Sequence, residues 1–194
     1  MINNLIYPVT NCFARIETLA FMKPDFLVID LFCGGVLAYI KEDLHPTVQD
    51  DLSTNAELLW LKVYPDHASE LLVGVCYRPE AAGDRYIDTV CESINRIGTQ
   101  DVILVGDFNI DWCNDVAQSS GSDRFLNCVK DNFLQQIIDV PTKDKYINDI
   151  VLVGNSSLVQ DWSVGEHFGT SDHKIIRVEL QLVRHKLVKK ERNV

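Results

Sequence analysis

Apolar and polar positions along this chain fall into short segments that predict more strands than helices. Helical spacing of the apolar residues predicts three helices, at residues 13–22, 84–97 and 124–133. The first should end before Lys23 and Pro24, because proline cannot continue a helix. Strands are predicted at 25–29, 36–40, 57–64, 71–77, 102–105, 137–138, 149–153, 159–164 and 174–182. Several strands follow one another directly, which favours an α/β protein with mixed or antiparallel sheets.

The 194 residues suit one domain with a sizeable core, and no repeat, linker or low-complexity tract divides them. We therefore expect a domain over residues 1–183 followed by a basic tail at 184–194. The tail, RHKLVKKERNV, holds five of the 18 basic residues and one of the 28 acidic residues. The remaining body has 13 basic and 27 acidic residues, so it binds nucleic acid poorly through charge alone but suits a site for a divalent cation.

Six scattered cysteines, at 12, 33, 76, 91, 113 and 128, show neither a CxxC pair nor metal-site spacing. Free thiols are typical of a reducing compartment, so we expect an intracellular protein of the nucleus or cytoplasm. The N-terminal stretch lacks a basic region followed by an apolar one, and no run is long enough to span a membrane. We predict no membrane association and no stable protein partner.

Polar groups gather at the predicted strand ends, where a rigid sheet can position a site. The stretch VILVGDFNID runs from four apolar residues through Gly106 to Asp107, Asn109 and Asp111. Alternation places these three polar residues on one side of the chain. A carboxylate beside an amide can order a water molecule or contact a phosphate oxygen, although Gly, Asp and Asn also favour an ordinary turn.

The stretch Ser171-Asp172-His173 precedes the last predicted strand and adds a titratable group. An imidazole held by a carboxylate serves as a general base or stabilises charge near neutral pH. Asp149, at the start of a neighbouring strand, can supply that carboxylate. A histidine next to an aspartate is also a common surface hydrogen-bonded pair, which is the competing interpretation.

The order of YRP, GDFN, PT, ND and SDH, each at a strand boundary, resembles the endonuclease/exonuclease/phosphatase superfamily. Within it, the sequence is similar to the apurinic-like endonuclease domains of non-LTR retrotransposons over roughly residues 13–182. KPDFLVI, GGVLAYIKEDL, ELLWLKV and INDIVLVGN fit the same pattern. The resemblance implies a four-layer sandwich, with helices outside two packed, mainly antiparallel sheets and the site at one edge.

The resemblance also implies catalytic roles. Asp107 would align or activate the attacking water, Asn109 would hold the phosphate, and His173 would act as a base or stabilise charge. Asp149 would orient His173, and Tyr77 would bind the phosphate by a hydrogen bond. Thr142 and Ser171 would belong to the substrate pocket. The reaction would be Mg²⁺- or Mn²⁺-assisted hydrolysis of a DNA phosphodiester.

The chain departs from the family at its metal site. Relatives carry an Asn before the first helix and a Glu just after the KPD strand, at a position that corresponds to Leu31 here. Gly34 and Gly35 follow almost at once, so a strand region that begins with this Glu is expected to be missing. We assign the metal to Asp172, Asp30 and Asn4, with Asn11 as another candidate, and expect impaired activity. The alternatives are an inactive remnant or binding module with the same fold, and a phosphoesterase acting on a small molecule.

Overall fold

The computed structural model describes residues 4–8, 16–23, 26–31, 36–52, 54, 56–65, 69–99, 101–112, 120–167 and 170–181. In residues 4–31 the description is confined to the placement of the strands. The predicted tail at 184–194 lies outside the described residues. No helix in the described part of the chain is long and apolar enough to cross a membrane.

Twelve strands and two helices make up the described structure. The strands are β1 Asn4–Pro8, β2 Ile16–Lys23, β3 Phe26–Leu31, β4 Val36–Lys41, β5 Thr47–Val48, β6 Leu58–Val63, β7 Leu71–Tyr77, β8 Val102–Asp107, β9 Gln135–Gln136, β10 Asp149–Val153, β11 Val159–His167 and β12 Lys174–Leu180. The helices are α1 Asp84–Ile94 and α2 Ser120–Asp131.

The strands form two six-stranded sheets. The first has the order β1-β4-β3-β2-β12-β11 and the second has the order β5-β6-β7-β8-β10-β9. Both are mixed, because β2 and β12 are parallel in the first and β7 and β8 are parallel in the second, while the other pairs are antiparallel. The predicted pair of mixed, mainly antiparallel sheets is confirmed.

The second sheet is buried on both faces, which explains its nearly continuous apolar strands. One face packs against the first sheet through residues such as Leu61, Val105 and Val151. The other face packs against α1 and α2, where Phe125 and Val90 are buried with Leu104. In the described residues, both helices lie on this outer face of the second sheet.

The helix predicted at 13–22 is wrong for its described residues, 16–22, which belong to strand β2, Ile16–Lys23. This strand lies between β3 and β12, so its backbone groups have partners on both sides. Pairing with two neighbours overrides the local helical pattern. The predicted strand at 137–138 is also misplaced, because the short strand β9 covers Gln135–Gln136.

The strands β3 and β4 are antiparallel neighbours, with Asp30 opposite Val36. Only residues 32–35 connect them, and this is the place where the sequence predicts a missing strand region. Strands β1 (Asn4–Pro8) and β5 (Thr47–Val48) were not predicted.

Candidate active site

Three polar residues lie side by side where strands of the second sheet end or begin. Asp107 is opposite Tyr77 of β7 on one side and opposite Asp149 of β10 on the other. Val75, Val105 and Val151, two positions away along each strand, all face the first sheet. Strand alternation therefore turns Tyr77, Asp107 and Asp149 toward the first sheet, at one edge of the sandwich. The two aspartates are buried, with exposures of 1% and 0%.

The local backbone before Asp107 requires glycine. Gly106 has a φ of 153°, and a Cβ at this position would lie 1.7 Å from the carbonyl oxygen of Cys76. Any side chain at residue 106 would therefore push β8 away from β7. The glycine in the GDFN motif serves to bring Asp107 close to the neighbouring strand.

The carboxylate of Asp107 is held by Asn109 in the same turn. The backbone N–H of Asn109 donates to Oδ1 at 2.9 Å, and its side-chain Nδ2 donates to Oδ2 at 3.1 Å. Nδ2 also donates to the carbonyl of Arg78 at 2.8 Å. Asn109 has a φ of 46°, a conformation that asparagine adopts more readily than most residues. Its amide donors are thus directed at Asp107 and Arg78.

Arg78 closes this turn from the β7 side. Its backbone N–H donates to the carbonyl of Asp107 at 2.8 Å. Its guanidinium donates to the carbonyl oxygens of Phe108 at 3.4 Å and Asn109 at 3.3 Å. The middle residue of the YRP motif therefore fixes the backbone around Asp107, a role that the sequence analysis did not assign to it.

His173 completes the group from the chain segment that leads into β12. Its Nδ1 lies 3.0 and 2.9 Å from the two carboxylate oxygens of Asp149, and its Nε2 lies 3.9 Å from Oδ2 of Asp107. The side chain is buried, and Nε2 has no hydrogen-bond partner in the described structure. Because Asp149 can only accept, Nδ1 carries a hydrogen and Nε2 faces Asp107.

Thr142 and Ser171 support the backbone of this group. The hydroxyl of Thr142 accepts a hydrogen bond from the backbone N–H of Asp149 at 3.1 Å. The hydroxyl of Ser171 accepts one from the backbone N–H of His173, also at 3.1 Å. Both residues are buried. Their assignment to the substrate pocket stays a prediction, while their contacts give each a positioning role.

Burial and close charges shift the acidity of the group. Burial, followed by the negative charge of Asp149, raises the pKa of Asp107 to about 7. For His173, burial alone lowers the pKa, but the hydrogen bond and charge of Asp149, followed by the charge of Asp107, raise it above its ordinary value. Asp107 therefore changes its protonation near neutral pH, as is common for catalytic groups.

Asp172 lies at the mouth of the site rather than inside it. Its side chain is 60% exposed, and its Oδ2 is 3.1 Å from the ammonium nitrogen of Lys143. Its other oxygen is 3.9 Å from Nε2 of His173. Burial alone raises the pKa of Asp172, but the hydrogen bond from Lys143 holds it below its usual value. Sequence analysis missed Lys143, although it directly follows the PT motif.

The structure places the two predicted N-terminal ligands at different ends of the first sheet. Asp30 is opposite Thr18 of β2, two residues before Ala20, which is opposite Ile176 of β12. Asp30 therefore lies at the site end, two strand spacings, about 10 Å, from β12. Asn4 is opposite Lys41, at the far end of β4, and is not brought to this group. Asn11 lies outside the described residues.

A divalent ion fits the donors of the buried group. Ligand atoms of Asp107, Asp149 and His173 all lie within 4.8 Å of one another. The 3.9 Å between Oδ2 of Asp107 and Nε2 of His173 suits two ligands of one ion, each at about 2.1 Å. The lone pair of Nε2 also lacks a protein partner. This set differs from the predicted metal residues, and its mixed oxygen and nitrogen donors suit Mn²⁺ better than Mg²⁺.

Two packed mixed sheets with this group at one edge define the DNase I-like fold. Among solved structures, the chain is similar to the endonuclease domain of TRAS1, a telomere-specific non-LTR retrotransposon, with a TM-score of 0.59 and 19% identity. The match covers 72% of this chain and 69% of that one. At this identity the likeness establishes the fold, which confirms the resemblance inferred from the motifs at that level. No protein-family model matches the sequence, and no curated protein does.

Proposed function

We propose that this protein is a metal-dependent phosphodiesterase that nicks DNA. The observation that carries the proposal is the buried His173, held by Asp149 at 2.9 Å and facing Asp107 with an Nε2 that has no hydrogen-bond partner in the described structure. A titratable group whose free nitrogen is aimed at a second titratable group suits catalysis better than stability, since an unpaired buried polar atom costs free energy.

Asp107 and Nε2 of His173 would hold the divalent ion, and Asp149 would hold His173 at its Nδ1. When bound, the ion supplies a water molecule that ionises near neutral pH and neutralises charge that develops on the phosphate. Asp149 keeps Nδ1 of His173 protonated, so Nε2 is turned toward the centre of the group. Asn109 keeps the carboxylate of Asp107 in one orientation. Because the pKa of His173 is raised, a proton competes with the ion for Nε2.

The absence of the family's metal-binding glutamate lowers the rate of DNA nicking that we expect. The family places this glutamate at the position of Leu31, which ends β3 at the same end of the sandwich as His173. A hard cation held by few carboxylates binds weakly when one is lost. We expect nicking slower by several orders of magnitude than with a complete site, equivalent to about 4 kcal/mol or more of transition-state stabilisation.

Conversion of supercoiled plasmid to open circles, with Mg²⁺ or Mn²⁺, tests the proposal. We expect weak nicking by the wild type and a further loss of at least about 100-fold in His173→Asn and Asp149→Asn. His45→Asn is the matched control, because His45 is exposed and distant, and its φ of 45° tolerates asparagine. Leu31→Glu should increase the rate.

Two results would contradict the proposal. Equal rates for the wild type and His173→Asn would mean that the nicking comes from contamination, and the fold would then be a non-catalytic remnant or a binding module. Hydrolysis of bis(4-nitrophenyl) phosphate without any plasmid nicking, lost in His173→Asn, would instead identify a phosphoesterase acting on a small molecule.

A further inference from the structure

Lys143 is a basic side chain at the mouth of the site that has no assigned role. It directly follows Thr142, and its backbone forms isolated β-bridges with His173 and Tyr146. These bridges fix the start of the side chain next to the catalytic group. The ammonium nitrogen lies 3.1 Å from Oδ2 of Asp172, and the side chain is 28% exposed. Lys143 is therefore anchored beside His173 and is still accessible from solvent.

The charge of Lys143 lies next to the buried group, because its backbone bridges to that of His173. A phosphodiester brings a negative charge to a place that already holds the carboxyl groups of Asp107, Asp149 and Asp172. An anion enters such a site only if a cation offsets this repulsion, and Lys143 offers one at the entrance.

The carboxylate of Asp172 occupies the place between Lys143 and His173. One of its oxygens is 3.1 Å from the ammonium nitrogen, and the other is 3.9 Å from Nε2 of His173. A phosphate also presents two oxygens from one central atom, so it can replace this carboxylate with little rearrangement. An exposed ion pair of this kind contributes little to stability, so exchange for a substrate phosphate costs little.

We propose that Lys143 is the phosphate-binding residue of this site and exchanges Asp172 for a non-bridging oxygen of the DNA phosphate. The inference rests on the proposed function and adds to it the residue that holds the substrate. Asp172 is then a competitor that occupies Lys143 until substrate arrives. Lys143 acts as a point charge, so an arginine at this position can replace it in part.

The pair of Lys62 and Glu70 provides a matched control within the same chain. Lys62 is also 28% exposed, and its ammonium nitrogen lies 3.3 Å from Oε1 of Glu70. It lies in β6 opposite Leu72, toward the end of the second sheet that is remote from Tyr77 and Asp107. Replacement of either lysine by methionine removes one charge and one surface ion pair, but only Lys143 adjoins the site.

Binding of a 20-base-pair DNA duplex in EDTA, measured over a series of salt concentrations, separates the two lysines. The variants are Lys143→Met, Lys143→Arg, Lys62→Met and Asp172→Asn. Loss of one phosphate contact should reduce the slope of log K against log salt by about 0.9 in Lys143→Met. Lys62→Met should keep the wild-type slope, and Lys143→Arg should keep most of it. Asp172→Asn should bind several-fold more tightly, because the competing carboxylate is gone.

An unchanged slope in Lys143→Met, or equal losses in Lys143→Met and Lys62→Met, would overturn the inference, and plasmid nicking by the wild type would leave the proposed function in place. A wild type that neither binds the duplex nor nicks plasmid would overturn both. Thermal melting of each variant reports its folding, and Asp172→Asn, which replaces an exposed carboxylate by its isostere, tests the exchange even where Lys143→Met fails to fold.

Discussion

At the scale of single residues, the site buries a carboxyl group, Asp107, whose charged form is unfavourable there. Asp107 is 1% exposed, its carboxylate accepts hydrogen bonds from Asn109, and burial raises its pKa to about 7. The folded protein therefore holds a proton on Asp107 at pH values where an unfolded chain would release it. Such a group makes the stability of the folded protein depend on pH.

Replacement of Asp107 by asparagine should remove part of this pH dependence. Burial raises the pKa of Asp107 from 3.8 to about 7, so the wild type should lose stability as the pH rises from about 4 to 7. The raised pKa of His173 acts in the same direction, since its stabilisation is present below pH 6.5 and is lost as the pH rises through the folded-state value. Thermal melting at pH 5 and pH 8 measures the effect.

We expect the wild type to lose on the order of 5 °C more than Asp107→Asn between these two pH values. Asp139→Asn is the control, because Asp139 is exposed and its substitution should leave the wild-type profile unchanged. Parallel profiles for the wild type and Asp107→Asn would show that the buried carboxyl does not carry a raised pKa.

Residue types at the site were predictable, but their partners were not. Asp107, Asn109, Asp149 and His173 were singled out because they are polar residues at the boundaries of apolar strands. The hydroxyls of Thr142 and Ser171 accept hydrogen bonds from the backbone N–H groups of Asp149 and His173, which depend on the turns that the chain takes between them. Lys143 drew no attention, since its ion pair with Asp172 joins positions 29 residues apart.

At the scale of elements, glycine decides how closely β6 and β7 approach. Gly74 of β7 lies opposite Trp60 of β6, and a Cβ at residue 74 would come within 2.4 Å of the indole ring. The ring cannot move away easily, because Nε1 donates to Oγ of Ser93 at 2.8 Å, and this hydroxyl donates to the carbonyl of Leu52 at 2.7 Å. Trp60, packed on Gly74 of β7 and bonded to Ser93 of α1, therefore holds β6 and β7 against α1.

Gly74→Ala should therefore destabilise the protein by about 1–3 kcal/mol, as expected for overpacking in a core. Urea unfolding measures the change. Gly165→Ala is the matched control in a strand, because a Cβ there would lie 3.7 Å from its nearest neighbour, the carbonyl oxygen of Ile175. Gly165→Ala should change stability by less than about 1 kcal/mol. Similar losses in both variants would mean that the contact with Trp60 is not what restricts residue 74.

Strands with strong apolar runs were predicted well, and the segment with an ambiguous pattern was not. The predictions at 71–77 and 149–153 coincide with β7 and β10, whose apolar residues are buried on both faces of the second sheet. Residues 13–22 look helical locally, but β2 is a central strand between β3 and β12. Only the arrangement of the neighbouring strands distinguishes these two outcomes.

At the scale of the whole molecule, the site depends on the packing of the two sheets. Asp107 and Asp149 come from the second sheet, and His173 precedes a strand of the first. The apolar core between the sheets fixes the separation of these groups. An ion held by Asp107 and His173 would bind the folded chain and not the unfolded one, so it should stabilise the whole protein.

Addition of Mn²⁺ at about ten times its dissociation constant should stabilise the wild type by about 1.4 kcal/mol, or roughly 3–6 °C in Tm. At a fixed Mn²⁺ concentration the gain should be larger at pH 8 than at pH 6, because protons on Asp107 and His173 compete with the ion. Differential scanning calorimetry measures it. His173→Asn should abolish the gain and His45→Asn should keep it. A gain that persists in His173→Asn would place the ion elsewhere.

The sequence by itself determined the strand-rich α/β class, the resemblance to a retrotransposon endonuclease fold and the residues at the strand ends, because short-range patterns encode burial and turns. Tertiary structure alone decided that Asp107, Asp149 and His173 form one buried group, that Asn4 lies away from it, and that Lys143 lies beside it, paired with Asp172. These facts depend on strand order and register across two sheets, which bring together residues separated by up to 66 positions in the chain. No local pattern carries that information.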